Sequence, residues 1–227
     1  MASITHKEWQ LMSCKRKTLW LENNRPASAA SLGGRRLVRG VGVNDSTYCV
    51  QPEIDGVKVM CPAYDAWKSI LSRCYDKNRH EKQPTYAGIK LSDDWRSFMS
   101  FRRWWIKNQV DGWQIDKDII GDGIEYSPNS CVFIPQSLNK FTVGSEAIRG
   151  KWPIGVHFRV DLGKFQATCG NPISGRRENL GLFSCPDEAH NAWLERKLQL
   201  ALELKSQMDC IDMRIYPRIV DIIMSKK

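Results

Sequence analysis

The stretch Ile115-Asp116-Lys117-Asp118-Ile119-Ile120 sets two carboxylates around one ammonium, between apolar residues. Tyr126-Ser127-Pro128-Asn129-Ser130-Cys131-Val132-Phe133-Ile134 follows, and then Asn139. A carboxylate at the end of one strand and an amide on a following helix can share a divalent cation. Oxygen ligands of this kind suit Mg²⁺ or another hard divalent ion. Asp116 and Asn139 are the candidate metal ligands, with Asp118 in support. Lys117 is cationic near pH 7 unless burial or a neighbouring cation lowers its pKa, so it is a poor general base. Its natural role beside a phosphate is to orient or neutralise an oxygen.

Those residues need a particular scaffold. Two short apolar runs with a polar turn between them, then a helix, predict a ββα unit with its functional atoms gathered at one end. The segment resembles the His-Asn-His (HNH) nuclease motif of phage-encoded homing endonucleases. The resemblance places Asp116 on the family's metal-binding Asp, Asn129 on the central Asn that braces the loop, and Asn139 close to the helix ligand. Lys117 stands where the family carries its general-base His. Loss of a general base costs about 10²–10⁴-fold in rate. The leader Tyr64…Trp67…Arg73-Cys74-Tyr75…Tyr86…Trp95…Phe98 resembles the same phage branch. The implied activity is metal-dependent hydrolysis of DNA phosphodiesters, with Asp116, Lys117, Asp118, Asn129 and Asn139 as the catalytic set.

Charge points to the same partner. The 227 residues carry 34 Lys+Arg against 25 Asp+Glu. Residues 1–50 hold 8 basic and 3 acidic side chains, residues 51–148 hold 13 of each, and residues 149–227 hold 13 and 9. The positive excess therefore lies at the two ends, which suits double-stranded DNA as partner. The eight cysteines form no Cys-x-x-Cys pair, and most read as small buried hydrophobes in a reducing cytoplasm. Cys61, Cys74 and His80 are a weak alternative for zinc, because their spacing matches no standard ligand pair. No signal peptide and no apolar run of membrane-spanning length are read, so a cytoplasmic location is expected (host cytoplasm, if phage-encoded), with no membrane partner.

Four segments are expected: a basic N-terminal helix and linker over 1–34, a nuclease domain over 35–148, a second DNA-binding module over 149–207, and a helical tail over 208–227. Residues 5–23 predict one helix, and Arg25 to Arg35 a flexible linker. Tyr48-Cys49-Val50 and Val57-Lys58-Val59-Met60 are expected to pair across Asp55-Gly56. A helix is expected from Pro62, and another after a Ser92 cap. In the latter, Trp95, Phe98, Met99 and Arg102/Trp105 follow core spacing, but by residue type Arg102 and Arg103 are expected on the outer face, where they could touch phosphates.

Residues 152–206 predict three strands, Pro153–Val160, Lys164–Cys169 and Asn179–Phe183, then a long helix from Pro186. Three antiparallel strands on one helix make a compact unit, so the fold class expected for the chain is α+β. Gly155-Val156, Gly163-Lys164-Phe165-Gln166-Ala167, Leu180-Gly181-x-Phe183 and Glu188-Ala189…Ala192-Trp193 resemble the plant Apetala/ethylene-response-factor DNA-binding domain. In that family the exposed sheet face enters the major groove. Period-2 alternation turns Val156, Phe158, Phe165, Ala167 and Cys169 toward the helix. It turns His157, Arg159, Gln166, Thr168, Arg177 and Asn179 outward, and Lys164 and Arg176 complete the candidate DNA-binding set. Gly170 replaces an Arg of the plant proteins, so the implied target sequence differs from theirs. The tail offers Ile219, Val220, Ile222 and Ile223 either to the body of the protein or to a second copy. Two functions stand at this point: a site-specific homing-type endonuclease, or a DNA-binding regulator or interference protein on a nuclease scaffold whose chemistry is lost.

Overall fold

The computed structural model describes residues 3–142 and 151–226. In chain order the elements are α1 (His6–Leu11), α2 (Cys14–Asn24), α3 (Ala29–Gly33), β1 (Glu53–Ile54), β2 (Val57–Lys58), α4 (Pro62–Tyr75), α5 (Lys77–Lys82), β3 (Lys90–Leu91) and α6 (Phe98–Asn108). They continue with β4 (Gln114–Asp116), β5 (Glu125–Tyr126), β6 (Val132–Ile134), α7 (Gln136–Thr142), β7 (Val156–Arg159), β8 (Lys164–Gly170), β9 (Arg177–Phe183), α8 (Pro186–Glu203), α9 (Lys205–Ile211) and α10 (Ile215–Met224). The chain is thus α+β. It divides into two compact units: residues 1–113 with 121–133, and residues 114–120 with 134–227.

The first unit is built on aromatic packing. Trp67, Trp95, Phe98 and Phe101 are almost fully buried, and the Trp67 indole N–H donates to the Trp95 carbonyl at 2.7 Å. A buried indole needs such an acceptor. The predicted first helix is two helices, because the Ser13 side chain accepts from Arg16 N–H and starts α2 afresh. The expected linker contains α3, and Arg35 beyond it donates to the carbonyls of Asn44, Ser46 and Tyr48. Asp55 and Gly56 both take positive φ and form the turn, but they join Glu53–Ile54 to Val57–Lys58 rather than Tyr48–Val50. The run around Ser92 is a 3₁₀ turn over Asp93–Arg96. The α6 helix starts one turn later, where Ser97 accepts from Ser100 N–H and Asp45 accepts from Met99 N–H.

That start fixes which side of α6 is buried: Phe98, Phe101, Arg102 and Trp105. The expectation that Arg102 faces outward is therefore corrected. It is 6% exposed and its guanidinium meets Glu22 on α2 at 2.5 Å, as a buried guanidinium requires. Arg103 is exposed, as expected.

In the second unit β7, β8 and β9 form an antiparallel sheet in that order. Val156 faces Ala167, and Phe158 faces Phe165. Val156, Ala167 and Ala189 form the core against α8, with Trp152, Phe165, Leu180 and Phe183 packed around them. Gly155 has φ +82°, and a Cβ there would lie 2.2 Å from the Trp193 ring, so the turn into β7 needs glycine. Between sheet and helix, Glu178 takes a two-pronged bond from Arg196. A bulge at Ala167/Thr168 lets both Asn179 and Leu182 share the outer face while Leu180 packs inward. Phe158 lies on the helix side with Phe165 but remains 39% exposed, covered by Trp152 rather than by α8. The tail is two helices. In α10 Ile215, Ile219 and Ile223 are buried, and α10 packs on α8 and α9.

Candidate functional site

Asp116 is the last residue of β4, and β4 pairs with β6 just before α7. The order strand, strand, helix predicted for this segment is present, with the apolar run 126–134 split into β5 and β6. Asp116 is 8% exposed. Its Oδ1 accepts from both the Asp118 and Ile119 backbone N–H groups, each at 2.8 Å. Burial raises its carboxyl pKa, partly offset by those two bonds. Lys117 is buried, and its Nζ donates to Asp118 Oδ1 at 2.6 Å. Asp118 itself lies largely in solvent. The Asp116 side chain thus closes the turn through the Asp118 and Ile119 backbone, and within it the Lys117 and Asp118 side chains hold each other.

Asn139 lies on α7. Its Nδ2 donates to Gln114 Oε1 at 3.1 Å, which ties the helix to β4 two residues before Asp116. Gln114 carried no signal in the sequence, because only the fold brings it to the helix. Asn129 falls in the first unit, exposed, in the turn before β6. That turn is pinned by Ser127 and Ser130, whose hydroxyls lie 2.8 Å apart, while Ser130 Oγ donates to the Glu125 carbonyl at 2.7 Å.

A divalent ion at this place fits the donor chemistry in part. Asp116 brings a carboxylate whose Oδ1 is engaged by the turn, and Asn139 brings an amide that Gln114 holds at Nδ2. Among the described residues no three of His, Cys, Asp and Glu converge on a metal-sized point. Two protein ligands plus water and phosphate oxygens is a pattern Mg²⁺ accepts. The zinc alternative loses its geometry. Cys61 bonds with Tyr48 and Thr18, Cys74 with the Lys90 carbonyl, and His80 with the Arg73 carbonyl.

The outer face of the three-stranded sheet is the second candidate. The registers place His157 opposite Gln166, Arg159 opposite Lys164, and Thr168 opposite Asn179. Since directly opposite residues share a face, these six side chains lie together, with Gly170 opposite Arg177 continuing the row. Arg176 is exposed in the turn before Arg177. One member is already engaged. Arg159 holds Asp161 through Nε at 2.9 Å and Nη2 at 2.7 Å, which raises its pKa and lowers that of Asp161. Asp161 lies in the turn between β7 and β8, and strand alternation gives no sign of this pairing.

Comparison with models of protein families, with curated proteins and with solved structures returned no match. Among the described residues no helix is long and apolar enough to cross a membrane.

Proposed function

We propose that this protein binds double-stranded DNA through the outer face of its three-stranded sheet and cleaves it, as a homing-type endonuclease, at the β4–β6–α7 segment. The observation that carries the DNA part is the composition of that face. Lys164, Gln166, Thr168, Arg177 and Asn179 stand side by side on paired strands. Arg, Gln and Asn offer the donors and acceptors that read base edges in the major groove, and Lys164 suits a phosphate. The nuclease part rests on the resemblance of 115–139 to the HNH motif and on the strand, strand, helix order there. Asp116 and Asn139 would hold the ion, which when bound stabilises charge on the scissile phosphate. Lys117, fixed by Asp118, would offset phosphate charge rather than take a proton.

A second reading has its own support. Asp116 Oδ1 is spent on two backbone bonds and Lys117 is bound to Asp118, so the triplet also serves as a purely structural turn. On that reading the protein is a DNA-binding regulator or interference protein without hydrolysis. Incubation of the protein with phage genomic DNA and Mg²⁺ or Mn²⁺, with ends mapped by sequencing, separates the two. Discrete, metal-dependent ends support the nuclease. A mobility shift without ends supports the binding protein, and neither result in low salt overturns both.

A further inference from the structure

A cleft of about 1230 Å³ in the second unit reaches from α7 and α8 to the free edge of β7 and the start of β9. Four cations line it: Lys140 on α7, Lys197 on α8, and Arg176 and Arg177 at β9. No Asp or Glu is among the described residues that line it. Elsewhere this chain pairs its cations freely: Arg39, Arg96, Arg102, Arg159, Arg196 and Arg214 all hold carboxylates. Among the described residues, none of the four cleft cations does.

Lys197 is the most telling of the four. Its Nζ lies 3.6 Å from the centre of the Phe141 ring, and burial pushes its pKa down to about 8. A dehydrated ammonium against a ring face, with Lys226 near enough to repel it, is costly to the fold, and an incoming anion would relieve that cost. The cleft also has aromatic walls. Trp152 packs edge-on to Phe165 at 4.8 Å and tilted to Phe158 at 6.0 Å, so its ring is braced before any ligand arrives. Pockets for single small molecules span roughly 300–1,000 Å³, and this one is larger, which favours a chain of linked anionic units.

We propose that this cleft takes a single-stranded nucleic-acid segment of two or more nucleotides, its phosphates meeting Lys140, Lys197, Arg176 and Arg177 and a base meeting Trp152. A basic groove with braced aromatic rings is the general chemistry of single-strand binding. The site is distinct from duplex reading in Lys197, Lys140 and Trp152, and shares Arg176 and Arg177 with it, while His157 and Thr168 stand at its rim. A strand opened from the duplex bound on the neighbouring sheet face, or a free oligonucleotide, would present the same chemistry.

The test uses the full chain and fluorescence anisotropy. Labelled ten-nucleotide oligothymidylate is compared with a duplex of the same length, with thymidine monophosphate and a phosphoserine peptide as competitors. Lys197→Met is the decisive variant, because it removes a buried charge and keeps the side-chain volume. Its expected effect is about a tenfold loss of oligothymidylate affinity, no change in duplex affinity and no fall in melting temperature. Trp152→Leu should cost single-strand affinity roughly 5- to 100-fold. Competition by the phosphoserine peptide as strong, per phosphate, as by unlabelled oligothymidylate would overturn the proposal, as would an unchanged affinity in Lys197→Met. Thymidine monophosphate competing as well as the oligonucleotide, per phosphate, would overturn the requirement for a linked strand. Loss of duplex binding with retained oligothymidylate binding would sink the duplex-reading proposal while leaving this one standing.

Discussion

Glu178 on β9 and Arg196 on α8 are joined by two parallel hydrogen bonds, Nε to Oε2 at 2.6 Å and Nη2 to Oε1 at 3.1 Å. The pair bolts the sheet to its helix, and Arg196 extends the link to Glu203 at 2.9 Å. Asn171 adds a third donor to Glu178.

The Arg196 bonds and then the Asn171 bond pull the Glu178 carboxyl down to about 2. Its contribution to stability is therefore present above the ordinary carboxylate range and lost as pH falls through that range toward about 2. Glu178→Gln should lower the melting temperature near pH 6, and the gap from wild type should close toward pH 2. Thermal melts of both proteins across pH 2–7 measure this. A gap that does not depend on pH would mean the charge contributes nothing and only shape matters.

Arg177 and Arg159 should behave differently toward duplex DNA although both lie on the outer face. Arg177 has no carboxylate partner among the described residues, and Arg159 is held by Asp161. Arg177→Ala should weaken specific duplex binding by about 1–3 kcal/mol if the residue meets a base. Asp161→Asn should strengthen binding at low salt and steepen the salt dependence by about one charge, because Arg159 is released. Titrations at three salt concentrations decide it, and equal effects of Arg177→Ala and Arg159→Ala would contradict the pairing argument.

Much of the second unit is legible in the sequence for a simple reason. Its strands alternate, its turns carry Gly163 and Gly175, and its helix opens on Pro186, so period and punctuation agree. The bulge at Ala167/Thr168 is not legible, since one added residue leaves no mark in composition. Arg102 misleads because its place in the buried stripe depends on Glu22, 80 positions away. The same holds at the candidate sites. Asp116, Lys117 and Asp118 are visible as a cluster of chemistry-bearing types. Gln114, Asp161 and Lys197 acquire meaning only when the fold brings their partners to them.

Gly155 gives a test of the fold that is independent of function. Its φ of +82° and the 2.2 Å approach to Trp193 act together. Gly155→Ala must both strain the backbone and displace a buried indole, for a cost of about 2–4 kcal/mol. Urea denaturation followed by tryptophan fluorescence reads it. A cost below about 0.5 kcal/mol, the range of ordinary surface substitutions, would show that the turn into β7 is packed differently.

The sharpest test of the nuclease reading lies in choosing the right replacement for Asp116. Asp116→Ala removes the acceptor for the Asp118 and Ile119 N–H groups, so lost cleavage could reflect a collapsed turn. Asp116→Asn keeps an Oδ1 acceptor for both and removes only the charge. Burial raises the wild-type carboxyl pKa, so its ionised form costs stability at neutral pH, and this burden lightens as pH falls through the raised value. Asp116→Asn should therefore melt no lower than wild type near pH 7. Its metal-dependent cleavage should fall by at least about 10²-fold. A stable Asp116→Asn protein that cuts as well as wild type would remove Asp116 from the metal site. A wild type that never cuts, while Lys117→His does, would place the lost chemistry at Lys117 alone.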